Sequence, residues 1–220
     1  MVLSKTGQDN PTVRDNYHHG DLRKALLVCA CEYLREKGTD TLSLRALARE
    51  VGVSPRAPYR HFVSRNALFA GIASFGLEIL QEELEAVEKK ESLEPKEILV
   101  EMGLVYMRFA LAHPEKYKLI LNTSLLDSNE YTDLMAARGR CFDILVSAII
   151  DGQRLGIYRE GEVEKLAALI WSGFHGAASL VQIATPIVPE IYESPAASAI
   201  KYLAEEQKEV VIEVLKVIEK

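Results

Sequence analysis

Residues 44–62 read LRALAREVGVSPRAPYRHF, and the order of apolar residues, caps and glycine in this stretch decides the fold. Leu44, Leu47, Ala48 and Val51 recur at i, i+3, i+4 and i+7, the spacing of one helix face, behind Ser43 at an N-cap position. The run stops at Gly52, where a left-handed turn is least costly. Ser54 stands as a second cap with Pro55 at the first helical position, so a further helix is expected to about His61. Two short helices joined by a tight turn containing Gly, the second carrying Arg56, Arg60 and His61, are the parts of a helix-turn-helix. In that arrangement an Arg near the start of the second helix can read guanine O6 and N7 together. Spacing alone is shared with other helical hairpins.

Charge placement agrees with the motif. Residues 1–65 hold 11 Lys and Arg against 7 Asp and Glu, whereas residues 66–220 hold 15 against 25. The net charge of −6 therefore hides a basic head on an acidic body, and a localised basic patch is the footprint that phosphate binding requires.

Outward from the motif the chain reads as helices. Leu22, Ala25, Leu26, Cys29, Ala30, Tyr33 and Leu34 mark a first helix, capped by Asp21 and ended by Gly38. Ser64 caps a long fourth helix with Leu68, Ile72, Phe75, Ile79 and Leu84 on its apolar face, and its Glu82, Glu83, Glu85 and Glu88 read as a wet face. Further helices are expected from about Ile98 to Phe109, to about Leu121, and over 130–154, 162–183 and 195–219. No strand-like alternation appears. The boundaries implied are a DNA-binding domain at 1–65, with a leader at 1–19, and a second domain at 66–220.

With 220 residues, 48% of them hydrophobic, the chain is long enough for one or two domains with a sizeable core. Three cysteines, an odd number, and no charged-then-apolar leader argue for the cytoplasm. Leu166 to Pro189 carries no formal charge and reaches membrane length, but Ser172, His175, Ser179 and Gln182 interrupt it at helical spacing. A helix buried on two sides, without a membrane partner, fits better. No nucleotide loop, zinc-protease, hydrolase or Cys-x-x-Cys signature occurs, and no Glu-x-x-His pair for a di-iron bundle. No catalytic residue, metal site or cofactor is therefore expected. His18 and His19 diverge on any regular element and lack partners at ligand spacing.

YHHGDLRKALL at 17–27 with LRALAREVGVSPRAPYRHFVSRNALF at 44–69 resembles the N-terminal DNA-binding domain of TetR-type transcriptional regulators. WSGFHGAASL at 171–180 and HPEKYKLIL at 113–121 resemble the C-terminal domain of the subgroup named for its Trp, His and Gly, here Trp171, His175 and Gly176. The resemblance implies an all-α homodimer whose head binds a palindromic DNA duplex and whose body binds a small inducer. Carried over by position, Ser43, Ser54, Tyr59, His61 and Arg65 fall at backbone-contacting or capping places, and Arg56, Ala57 and Arg60 face base edges. Many members have Leu where this chain has Pro58. The ring removes a backbone donor there, so the third helix is expected to begin tighter or to shift. Tyr59 can both pack and reach a phosphate, and Phe62 reads better as core.

Aromatic and Met side chains on several body helices suit an apolar cavity: Met102, Tyr106, Phe109, Tyr117, Leu121, Met135, Phe142 and Trp171, with ordinary core as the alternative for each. His175 shares a face with Trp171 and is either a ligand contact or structural. The last two helices read as a dimer seam, through Leu166, Ile170, Ser179, Ile200, Leu203, Val210 and Val214, paired into an intermolecular four-helix bundle. The function expected is a repressor released from DNA by a small, largely apolar molecule. An architectural DNA-binding protein without a ligand is the alternative, and a helical-bundle enzyme a remoter one.

Overall fold

The computed structural model describes residues 22–39, 41–125, 130–184 and 194–220. Among them nine α-helices follow in order: α1 (Leu22–Lys37), α2 (Leu44–Val51), α3 (Arg65–Glu88), α4 (Pro95–Ala112), α5 (Pro114–Ile120), α6 (Thr132–Arg154), α7 (Val163–Ala184), α8 (Pro195–Glu205) and α9 (Gln207–Leu215). The expected all-α fold is what forms. The Asp21 cap, His18, His19, Pro186 and Pro189 lie outside the described residues.

The head closes around Leu26, Ala30, Leu47 and Phe62, all nearly inaccessible. Ser43 Oγ accepts the Ala46 N–H at 3.1 Å, and Gly52 ends α2 at φ 77°, a conformation that a side chain would strain. Ser64 Oγ accepts the Ala67 N–H at 3.0 Å and starts α3. At about 1.5 Å per residue, the 24 residues of α3 span about 36 Å, from the head into the body. This helix packs on α1 in the head and on α4, α5 and α6 in the body.

Two expectations are corrected. The third helix is not α-helical: residues 55–57 form a turn, and only Pro58–Arg60 is helical, as a 3₁₀ turn. Ala57 N–H donates to the Ser54 carbonyl and Arg60 N–H to the Ala57 carbonyl, both the tighter three-residue bonds. Pro58 has no N–H with which to make the α-type bond back to Ser54. The final helix breaks at Glu206. No residue of α8 is buried, whereas α9 buries Val210, Val211 and Leu215, and the bend is what turns that apolar face onto α4 and α7. Gly103 and Gly173 make the approach possible, since a Cβ at either would stand 2.6 Å from a Val211 or Val214 methyl.

Candidate functional site

The turn after α2 presents one polar face. Ser43, Ser54, Arg56, Tyr59, Arg60, His61 and Arg65 are exposed, Ala57 is half-buried, and Pro58 and Phe62 are buried beneath them. Tyr59 is 46% exposed, and Phe62 takes the core role, with the Arg23 guanidinium 5.6 Å from its ring. Arg65 is less free than its exposure suggests. Its guanidinium donates to the Thr39 carbonyl and lies 4.9 Å from the Phe69 ring, tying the start of α3 to the loop before α2.

The body encloses a cavity of about 540 Å³, within the range of small-molecule sites. α3 supplies Leu77, Leu80 and Leu84; α4 supplies Met102, Tyr106 and Phe109; Tyr117, Ile120 and Leu121 come from α5 and its end. α6 contributes Arg138, Gly139, Cys141, Phe142 and Leu145, and α7 contributes Trp171 and Phe174. Gly139 and Trp171 are also solvent-exposed, so the wall reaches the surface at both.

Seven of the nine expected ligand contacts thus line one space: Met102, Tyr106, Phe109, Tyr117, Leu121, Phe142 and Trp171. Met135 does not; it packs half-buried on the core, with Arg138 donating to its sulfur at 3.8 Å. His175 does not line it either. Its Nδ1 lies 2.8 Å from Tyr117 Oη and 3.1 Å from Tyr106 Oη, and its ring stacks on Trp171 at 5.5 Å and 26°. The histidine therefore stands behind the wall, against Tyr106, Tyr117 and Trp171 of the same subunit. Tyr117 Oη also approaches Ser179 Oγ at 3.4 Å.

Burial fixes the protonation of this cluster. It pushes the His175 pKa below its ordinary value and both tyrosines above theirs, Tyr106 far above, so all three are neutral near pH 7. A phenol hydroxyl both donates and accepts, so the role of Nδ1 toward Tyr106 and Tyr117 follows the imidazole tautomer.

One short helix touches both regions. Next to Tyr117, Glu115 and Lys116 are buried side by side, Lys116 Nζ 2.9 Å from Glu115 Oε1, and Arg35 of α1 approaches the same oxygen at 3.6 Å. Burial raises the Glu115 pKa, but the Lys116 hydrogen bond and the charges of Lys116 and Arg35 outweigh it and hold it below its ordinary value.

Residues 26–72 match the family model described as bacterial regulatory proteins, tetR family, and residues 99–190 match that of the tetracyclin repressor-like C-terminal domain; together they span more than half of the chain. The chain belongs to the TetR family. Both matching family models describe transcription regulators, not enzymes. A protein of unknown function from Rhodococcus sp. RHA1 is 27% identical with a TM-score of 0.70, over 94% of this chain and 100% of that one. The regulator PfmR from Thermus thermophilus shares the fold at 22% identity and a TM-score of 0.57, covering 81% and 94% of the two chains. The nucleoid occlusion factor SlmA of Shewanella loihica is 31% identical over 110 residues, 49% of this chain and 54% of that protein, so the match spans about half the length of such relatives.

In this TetR-family chain the expected interface residues divide. Leu166, Ile170 and Val210 are at most 4% exposed within one protomer, and the Val214 methyls lie against Gly173 of the same chain. α9 covers α7 from within the subunit, which corrects Leu166, Ile170 and Val210, whereas Val214 is only half-buried. Ser179, Ile200 and Leu203 are half-buried, and the open side of α7 carries Leu169, Ser172 and Leu180 instead. Among the described residues no helix is long and apolar enough to cross a membrane. Sequence reasoning missed the α3 leucines and, above all, Arg138. The legible signal was a charge three residues after Met135 and four before Phe142, on the apolar side of α6.

Proposed function

We propose that this protein is a ligand-responsive repressor that binds a partly palindromic duplex as a homodimer in the cytoplasm, and that a small molecule in the body cavity releases it. The observation that carries this reading is the position of α5, whose Tyr117 lines the cavity while Glu115 meets Arg35 of the head. A ligand that prefers one placement of Tyr117 biases the head through three consecutive residues. Arg56, Ala57 and Arg60 face base edges in this proposal, and Ser43, Ser54, Tyr59, His61 and Arg65 serve the backbone. The 1–65 and 66–220 division and the Trp-His-Gly subgroup belong to the same proposal, the latter supported by Trp171 and His175 acting as one stacked unit.

Dimerisation is assigned to the open face of α7, where Leu169, Ser172, Gly176 and Leu180 share one side, with Ile200 and Leu203 of α8 beside it. A Cβ at Gly176 would meet nothing within 4 Å, which leaves room for a close second helix. Likeness to nucleoid occlusion factors supports a second reading, an architectural DNA-binding protein without a ligand; the cavity favours the first. The test is to select a duplex from a random pool, measure its binding by fluorescence anisotropy and repeat with a metabolite panel. Steeply salt-dependent binding released by at least one compound is expected. Binding that no cavity-occupying compound alters leaves the architectural reading.

A further inference from the structure

The cavity wall is apolar on nearly every side, yet it contains a cation. Arg138 sits in the stripe Leu134, Ala137, Arg138, Cys141, Phe142 and Leu145 that α6 turns inward, where an arginine of a surface helix does not belong. One of its N–H groups donates to the Ile120 carbonyl and one to Met135 Sδ. Among the described residues no carboxylate lies within ion-pair distance, and three of its five N–H groups have no partner. Its pKa is lowered by burial, with no neighbouring charge to offset it.

Arg138 is half-buried, and a guanidinium partly withdrawn from water at an apolar wall without a counter-charge is costly. The body around it is acidic, 15 Lys and Arg against 25 Asp and Glu over residues 66–220, so an internal partner would have been easy to provide. The tyrosine hydroxyls opposite are already engaged with each other and with His175, which leaves Arg138 as the cavity's one unanswered charged group among the described residues. We propose that the cavity's ligand is an amphipathic carboxylate, its acid group paired with Arg138 and its apolar body laid along Leu80, Phe109, Phe142 and Trp171. This rests on the ligand-response reading above and narrows the ligand from largely apolar to singly anionic.

The chain's single tryptophan is Trp171, so intrinsic fluorescence of the full-length protein reports occupancy directly. Octanoate, decanoate and dodecanoate are titrated beside the alcohols of the same chain lengths. A carboxylate should bind at least tenfold more tightly than its alcohol, the size of a charge-assisted hydrogen bond. Arg138→Met should abolish that advantage and leave the alcohol within twofold of wild type. Equal affinity of acid and alcohol for the wild-type protein overturns the anion proposal and leaves the ligand-response reading standing; this comparison needs no variant to fold. Equal weakening of both by Arg138→Met also overturns it. If no acid or alcohol binds at any length, the amphipathic-carboxylate proposal falls, and the ligand-response reading is decided by the metabolite panel alone.

Discussion

Replacing Glu115 by Gln keeps the shape of the side chain and removes its charge, leaving the Lys116 ammonium buried. Both side chains are only 5% exposed, so this is a buried pair, and breaking such a pair by removing one partner costs roughly 3–5 kcal/mol. The lower end applies here: Lys116 Nζ keeps His113 Nδ1 at 3.4 Å, and Glu115 Oε2 already lacks a hydrogen-bond partner among the described residues. A loss of about 3 kcal/mol is a large share of the 5–15 kcal/mol typical of a folded protein, but survivable. Arg35 is the control. Its side chain is 60% exposed, so Arg35→Met should cost under about 1 kcal/mol. The double variant Glu115→Gln with Lys116→Met removes both buried charges and should return to within about 1 kcal/mol of wild type. Urea unfolding followed by far-UV circular dichroism measures all four proteins. A cost below about 1 kcal/mol for Glu115→Gln, or a double variant no better than the single one, would refute the claim that an intact pair holds α5 in place.

Arg56→Ala should relax base preference at one position by about 1–3 kcal/mol, whereas Tyr59→Phe should weaken binding evenly across duplexes; equal losses on every duplex for both would mean the turn is not docked as proposed. His175 has a lowered pKa in the folded state, so the unfolded chain takes up its proton first. Its contribution to stability is complete above the ordinary imidazole value of about 6.5 and declines as pH falls below it. His175→Gln should flatten the change in urea midpoint between pH 7.5 and 5.5, leaving the share from His113, whose shift has the same sign; an unchanged profile assigns the dependence elsewhere. Gly176→Phe together with Leu180→Glu should convert the dimer to a folded monomer in light scattering, because both changes point into open space within one subunit. A variant that stays dimeric moves the seam off this face.

Periodicity and caps made the head legible, because α2 depends on its own residues: Ser43, Gly52 and an apolar face every three or four positions. The segment after α2 was harder. The same Ser-Pro start that opens many α-helices is followed here by Pro58, and one missing donor was enough to leave a 3₁₀ turn. Seven cavity residues could be picked by type, since large aromatic and sulfur side chains on facing helices rarely all fill space without leaving some. Leu77, Leu80 and Leu84 could not, because a leucine facing a cavity and a leucine facing a core have the same pattern. Leu166, Ile170 and Val210 were misassigned to the interface for a related reason. An uncharged helix such as α7 is covered on several sides, and the sequence does not say whether the cover is α9 of the same subunit or a second copy.

What joins cavity to head is a matter of length as much as chemistry. α5 has seven residues, too short to be stable alone, and it is fixed by Pro114 at its start, by burial of Tyr117 and by the Glu115–Lys116 pair against α1 and α3. If α5 shifts as one piece, a displacement of Tyr117 by a ligand carries Glu115 with it and presses on α3 where Gly76 leaves room for Lys116: a Cβ at Gly76 would stand 2.9 Å from that of Lys116. To carry the head from mostly bound to mostly released, a ligand must favour one placement by about 5.5 kcal/mol, more than a single hydrogen bond to Tyr117 supplies. A pairing at Arg138, which lies on α6 and donates to the Ile120 carbonyl at the end of α5, would act on the same short helix from its other end. If the two act together, Arg138→Met should reduce ligand-driven release from DNA more than it reduces ligand binding. Operator anisotropy and Trp171 fluorescence, titrated on the same sample with decanoate, separate the two, and a proportional loss in both would mean that Arg138 anchors the ligand without moving α5.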